Sequence, residues 1–245
     1  MKPIKLVAVI LLLMLGVTSC HLDEPNEDAG AKSKLVSVTG PLGFPLCKIT
    51  YDSQQRPTSI YRGDEEYNIS YDPMKVVVKE YDLGQVIEVD TWDNILIRDG
   101  RIVSFTNTES DIRNPSNNCV THVDVTYDSE GRITRIKDDG TMIFTWSDDG
   151  NLISIVEDDG HSEFTYGTLP NATGQWSVNW AFNPLAIFGY FGKAPVRFPA
   201  SLTDYTETLY FAYRLDKIQR IDVEQVKTSY GEDDAETVSF KYNYR

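Results

Sequence analysis

Tyr127-Asp128-Ser129-Glu130-Gly131-Arg132-Ile133-Thr134-Arg135-Ile136 is the stretch that decides the fold. Tyr51-Asp52-Ser53-Gln54-Gln55-Arg56-Pro57-Thr58-Ser59-Ile60 follows the same pattern, as does Trp146-Ser147-Asp148-Asp149-Gly150-Asn151-Leu152-Ile153-Ser154-Ile155. In each copy an aromatic ends one segment, a polar turn reverses the chain, and Arg or Asn opens the next. Tyr51 to Tyr71, Tyr127 to Trp146 and Trp146 to Tyr166 are steps of about twenty residues, which hold two strands and two turns. Each repeat therefore reads as one hairpin. A lone hairpin is unstable in water, so neighbours must pair into a meander.

The segments between turns alternate with period two. Val238, Phe240, Tyr242 and Tyr244 interleave with Ser239, Lys241 and Asn243, and Val123, Val125 and Tyr127 interleave with Asp124 and Thr126. Met142, Phe144 and Trp146 form a further set, and Phe164 and Tyr166 a shorter one. A strand sends alternate residues to opposite faces, so this pattern predicts antiparallel sheet with one buried and one wet face. Asp99-Gly100, Asp139-Gly140, Asp149-Gly150 and Asp159-Gly160 suit type I′ turns, which need positive φ at both central residues. The expected fold is mainly all-β: a curved antiparallel hairpin meander, open or barrel-like, over residues 35–245.

One segment breaks the rhythm. Trp176, Val178, Trp180 and Phe182 alternate as a strand. Asn183-Pro184 then reads as N-cap and first helical position, with Gly192 as the stop. A short helix near 184–191 would be apolar on nearly every side and so would seek burial. It is expected to plug the concave side or open end of the sheet. A gate over a ligand cavity is the sharper version of that expectation.

The N-terminus reads as an address. Lys2 and Lys5 precede the apolar run Leu6–Leu15, followed by Val17-Thr18-Ser19-Cys20. This is the layout of a secretory signal and is too short to span a bilayer stably. Thr18-Ser19-Cys20 resembles the lipobox of bacterial lipoproteins, which implies residues 1–19 as signal peptide and lipid attachment at Cys20. Residues 20–34 read as a flexible tether, because Asp23, Glu24, Glu27 and Asp28 lie there without apolar periodicity. Acids directly after the lipidated Cys resemble the export signal of Bacteroidetes surface lipoproteins. That implies an outer-membrane lipoprotein exposed at the cell surface; a periplasm-facing protein is the alternative.

Asp and Glu exceed Lys and Arg by 37 to 23 in 245 residues, a formal charge of −14. A nucleic-acid partner is excluded on this balance, since a phosphate footprint needs a basic stripe. The aromatic fraction of 11% also excludes a disordered acidic chain. The chemistry-bearing residues form no catalytic signature. His21, His122 and His161 show no metal-ligand spacing, and the Asp pairs at 138–139, 148–149, 158–159 and 233–234 lack calcium-loop spacing. No nucleophile elbow, phosphate loop or dinucleotide motif is present. No catalytic residue, metal or cofactor is therefore assigned. Cys47 and Cys119 share parity with apolar neighbours; a disulfide between them and two separate thiols fit equally well. Trp92, Trp146, Trp176 and Trp180 read as core rather than as sugar platforms.

The hairpin units resemble YD repeats, a motif of large β-cage proteins. The chain as a whole is similar to a Bacteroidetes lipoprotein family of unknown function with a porin-like fold. The residues that carry this resemblance are Asn179-Trp180-Ala181-Phe182-Asn183-Pro184-Leu185, Phe188-Gly189-Tyr190-Phe191-Gly192-Lys193, and the pair Leu209–Tyr213 and Ile218–Ile221. It implies a curved antiparallel sheet and an envelope location, with no catalytic residues to carry over. The expected function is a non-catalytic, lipid-anchored envelope protein that binds or scaffolds. Its partners would be the membrane, through Cys20, and a glycan or envelope protein. An accessory glycan-binding lipoprotein of polysaccharide uptake, a carrier of an apolar ligand, and a hydrolase are the alternatives.

Overall fold

A computed structural model describes residues 34–41, 45–158, 160–177, 179–204, 207–228 and 237–245. The signal, Cys20, almost all of the tether and the Asp pair at 233–234 lie outside the described residues.

These residues form sixteen strands. The first eight are β1 (Leu35–Thr39), β2 (Pro45–Tyr51), β3 (Pro57–Arg62), β4 (Glu65–Tyr71), β5 (Met74–Asp82), β6 (Gln85–Arg98), β7 (Arg101–Asp111) and β8 (Cys119–Tyr127). The rest are β9 (Ile133–Lys137), β10 (Thr141–Trp146), β11 (Leu152–Val156), β12 (His161–Pro170), β13 (Arg197–Thr203), β14 (Thr208–Leu215), β15 (Ile221–Thr228) and β16 (Thr237–Tyr244). Every strand pairs with its neighbours in sequence, and β1 pairs antiparallel with β16, so the meander closes into a barrel. Val38 faces Tyr242 across the seam, and the main chains of Lys34 and Arg245 exchange bonds of 2.7 and 2.8 Å. Closure removes both sheet edges.

Parity is as the alternation predicts. In β16, Val238, Phe240 and Tyr242 are buried while Thr237, Ser239 and Lys241 are exposed. In β8, Val123 and Val125 point inward while His122, Asp124 and Thr126 face out.

Three of the turns share one mechanism. In 52–56, 128–132 and 216–220 an Asp accepts the backbone N–H of the Arg four residues on, and its second oxygen accepts that Arg's Nε at 2.8, 2.6 and 2.7 Å. The guanidinium then lies over the aromatic that ends the next hairpin: Arg56 over Tyr71, Arg132 over Trp146 and Arg220 over Tyr244. Those aromatics tie back to the backbone. Tyr71, Trp146 and Tyr244 donate to the carbonyls of Pro57, Ile133 and Ile221 at 2.7, 2.6 and 2.8 Å. The copy at 216–220 escapes the sequence pattern because Leu215 and Gln219 replace the aromatic and the glycine.

The type I′ expectation holds at one of the described Asp-Gly pairs and is corrected at two. Asp99-Gly100 has positive φ at both residues, 49° and 72°; neither Asp139 nor Gly140 does, the Asp138 carboxylate accepting the Gly140 N–H instead, and Asp159 lies outside the described residues. In 128–132 and 147–151 only the glycine is positive, and the strand register shifts beside it, so these turns end in a bulge. Gln55 and Gln219 hold the same left-handed position, with φ of 64° and 66°.

In a meander, successive turns alternate between the two ends of the barrel. The Asp–Arg turns therefore share one end, together with the long connection 171–196. Val178 lies outside the described residues; at the described ones among 176–182 that connection is not the strand the alternation suggests. It crosses the lumen as an irregular segment, and its apolar side chains satisfy different walls rather than one sheet face. Phe182 meets Phe144 of β10, and Phe191 meets Trp92 of β6. On the other side, Gln175 accepts the N–H of Ile221 at 2.8 Å and donates to the Tyr244 hydroxyl at 3.1 Å.

The expected helix is a 3-10 turn, Pro184–Phe188, with all five residues buried. The Asn183 side chain accepts the Leu185 N–H, as the capping pattern predicts. The stop is Gly189 (φ 79°), three residues before the expected Gly192. Gly192 serves a close approach instead: a Cβ there would sit 2.5 Å from the Gly131 carbonyl oxygen. This plug, with large inward side chains such as Trp176, Phe198 and Phe240, fills a lumen that sixteen strands would otherwise leave open.

Candidate functional site

The plug closes one end of the barrel, and a cavity of about 490 Å³ lies toward the other. Its lining can be followed strand by strand along the inward parity. On β4 the inward residues run from Ile69 through Tyr67 to Glu65, and on β5 from Val76 through Val78 to Glu80. On β6 they run from Trp92 through Asp90 to Glu88, and on β7 from Phe105 through Asn107 to Glu109. Each strand thus begins apolar at the plug and ends acidic at the mouth. Asp138 and Asp139, on the turn before β10, complete the acidic side. Phe182, Asn183 and Phe191 of the plug form the floor.

The deep wall is aromatic. Trp92 stacks on Phe105 at 4.6 Å between ring centroids and meets Phe191 edge-on at 6.5 Å. Phe191 in turn meets Phe182 at 5.7 Å. These contacts orient the rings and leave the apolar depth preformed.

The mouth is electrostatically strained. The strand register sets Glu65 opposite Glu80, Glu80 opposite Glu88, and Asp90 opposite Glu109. Like charges directly opposite one another destabilise a sheet. Burial first, then the neighbouring Glu88, Glu109, Glu80 and Glu65, pushes Asp90 up to about 7. Burial also raises Glu65, against the pull of Arg62, and raises Asp138. Two acceptors, Asp90 Oδ1 and Asn107 Oδ1, are buried without a hydrogen-bond partner. Glu88, Asp90 and Glu109 each offer an oxygen, all within 4.8 Å of one another, so this is where the described residues place metal-capable ligands.

No motif singles out Glu65, Glu80, Glu88, Asp90 or Glu109, because the pattern that unites them is parity. Glu65, Glu80, Asp90 and Glu109 continue the inward parity of Tyr67, Val78, Trp92 and Phe105, and an acid on a core-facing parity is the legible signal. The Asp pairs considered from sequence part company: 138–139 lines the cavity, whereas Asp149 pairs with Arg197 at the opposite end. His122 and His161 are solvated, beside Asp124 at 3.3 Å and Glu163 at 3.4 Å.

Of the two arrangements open for Cys47 and Cys119, separate thiols are present. Cys47 is buried on β2, where burial raises its thiol against the pull of Arg62. Cys119 is exposed at the mouth, lines the cavity, and donates to Glu109 Oε2 at 3.6 Å. The strand on which Cys119 shares parity with Val123 runs out of the core before reaching it. Trp92, Trp176 and Trp180 are core, as expected, and Trp146 is half-buried at a turn.

No protein-family model matches the chain, and no curated protein matches it. Among solved structures, the chain is similar to a porin-like protein from Bacteroides uniformis, with 15% identity and a TM-score of 0.56 over 86% of this chain and 96% of that one. A porin-like protein from Bacteroides vulgatus matches at 13% identity and a TM-score of 0.38, over 86% of this chain and 98% of that one. The likeness to the first concerns the fold, and it agrees with the closed antiparallel barrel described above.

Proposed function

We propose that this chain is a non-catalytic, lipid-anchored protein of the cell envelope that binds a small ligand in the mouth of its barrel. The observation that carries the binding role is the cavity: plugged at one end, open at the other, aromatic in its depth and large enough for a drug-sized molecule. This favours the carrier reading over a glycan platform, since the ring pairs of the described residues belong to the interior. The outer face supports a barrel standing in water. His122, Asp124, Arg135, Lys137 and Lys241 project there, where a membrane-spanning barrel carries an apolar band. The lipid anchor rests on Thr18-Ser19-Cys20, and the surface location on the acids that follow.

The test of binding uses the neutral dye N-phenyl-1-naphthylamine and the mature chain carrying Cys20→Ser. The dye is expected to brighten with one site per chain. Val78→Phe, which fills the depth, is expected to abolish the response; no brightening, or brightening unchanged in the variant, overturns the reading. Membrane retention of a Cys20→Ala chain would overturn the anchor. The acids at the mouth are also what a glycoside hydrolase needs. Asp90-dependent release of nitrophenol from nitrophenyl glycosides would overturn the non-catalytic role.

A further inference from the structure

We infer that the cavity takes an amphipathic cation, a molecule with an ammonium or guanidinium head and an apolar body. This rests on the reading of the cavity as a ligand site and names the chemistry of its ligand. Four independent features converge on it.

The first is the polarity gradient. The depth is built of Trp92, Phe105 and the plug's Phe191, while the mouth is carboxylate on every contributing strand from β4 to β7. A ligand that satisfies both zones must be apolar at one end and cationic at the other. The second is the sign of the lining: no Lys, Arg or His lines the cavity among the described residues. Arg62 acts on Glu65 but is not part of the lining.

The third is the opposed like charges, Glu65–Glu80, Glu80–Glu88 and Asp90–Glu109. A sheet that sets three such pairs side by side breaks a local rule, which is the mark of a functional site. A bound cation relieves all three, so binding recovers stability that the empty protein gives up. The fourth is the pair of buried acceptors, Asp90 Oδ1 and Asn107 Oδ1, that lack donors. An ammonium brings three N–H donors and no acceptor, and a guanidinium five. An anion would meet only repulsion here. A bare metal ion would satisfy the carboxylates and leave the aromatic depth empty, in a space of about 490 Å³.

The experiment compares three probes with one body and different heads: 4-phenylbutylammonium, 4-phenylbutanol and 4-phenylbutyrate. Each is titrated calorimetrically into the mature Cys20→Ser chain at pH 8 and low salt. The ammonium is expected to bind at least tenfold more tightly than the alcohol, and the carboxylate more weakly still. Asp90→Asn combined with Glu109→Gln is expected to erase the tenfold preference, ammonium binding falling at least tenfold more than alcohol binding. This variant removes repulsion, so it is expected to melt no lower than the parent chain; if it fails to fold, Glu80→Gln is read instead, with a smaller loss in the same direction. Equal binding of the three probes overturns the cationic head and leaves the cavity a ligand site. No binding by any probe overturns both readings. Calcium binding with no ammonium binding overturns the inference in favour of a metal site.

Discussion

Cys119 reports the field at the cavity mouth one residue at a time. Burial, then the Glu109 carboxylate beside it, raises its thiol above the ordinary range. Its thiolate is scarce, and any anionic reagent must approach against the surrounding acids. A cationic methanethiosulfonate should therefore label Cys119 at least tenfold faster than an anionic one, and Glu109→Gln should narrow the ratio; equal rates read by mass spectrometry would refute an acidic mouth. Cys47, buried on β2, should stay unlabelled until the barrel unfolds. At the opposite end, Gln55 and Gln219 occupy the left-handed position that Gly131 and Gly150 hold in the equivalent turns. A side chain there carries a cost of roughly 1–2 kcal/mol, partly offset by the entropy that glycine loses on folding. Gln55→Gly and Gln219→Gly should each stabilise by about 0.5–1 kcal/mol in thermal unfolding.

The plug is the element on which the cavity depends, and a buried carboxylate is one of the groups that hold it to the wall. Glu224 on β15 has no exposed surface. Its oxygens accept from the Ser177 hydroxyl at 2.6 Å, the Asn179 side-chain amide at 2.8 Å and the Tyr242 hydroxyl at 2.6 Å. Ser177 and Asn179 belong to the plug and Tyr242 to β16, so Glu224 ties one to the other. Glu224→Ala would remove the shared acceptor of these three donors, at a cost of about 3 kcal/mol. It should also loosen the segment carrying Trp176 and Trp180, both now buried. The expected readout is a red shift of tryptophan emission together with a lower melting temperature; an unshifted spectrum would show that apolar packing alone seats the plug.

At the scale of the whole molecule, the acids give stability an unusual pH dependence. Burial is the leading cause that pushes Glu224 to about 7, against the hydrogen bonds it accepts. Asp90 rises to about 7 by burial and its acidic neighbours, and Glu157 to about 7 by burial with Asp138 and Asp158. The folded chain holds protons on these groups at pH values where the unfolded chain, with ordinary carboxylates near 4, has released them. Their contribution is therefore full below about pH 4 and lost as pH rises through 7, and for Glu224 alone it amounts to roughly 3 kcal/mol. The turn carboxylates work the other way. Asp52 is held low by the Arg56 amide, and Asp128 and Asp216, despite burial, by hydrogen bonds from Arg132 and Arg220. The melting temperature should thus be higher at pH 5 than at pH 8 and fall again below pH 4. A monotonic rise from pH 5 to pH 8 would mean that the interior carboxyls are not protonated in the folded state.

Local rules carried much of this fold. Period-two parity marked the inward residues of β8 and β16, because a strand's two faces depend on nothing beyond the strand. The Asp–Arg turns at 52–56 and 128–132 were legible for the same reason: their hydrogen bonds close within five residues. The capping of Pro184 by Asn183 was local too, whereas its stop at Gly189 was chosen by the packing that pulls Tyr190 toward β7, where its carbonyl accepts the Ile102 N–H. Only the tertiary structure decided closure, since the seam joins residues 35–39 to residues 241–244 and no nearby residue encodes that pairing. Only it turned Trp176–Phe182 from an apparent strand into a lumen filler, and only it gathered Glu65, Glu80, Glu88, Asp90 and Glu109. Each of those acids is unremarkable on its own strand, and they become a site because the register of four successive strands sets them side by side at one end of the barrel.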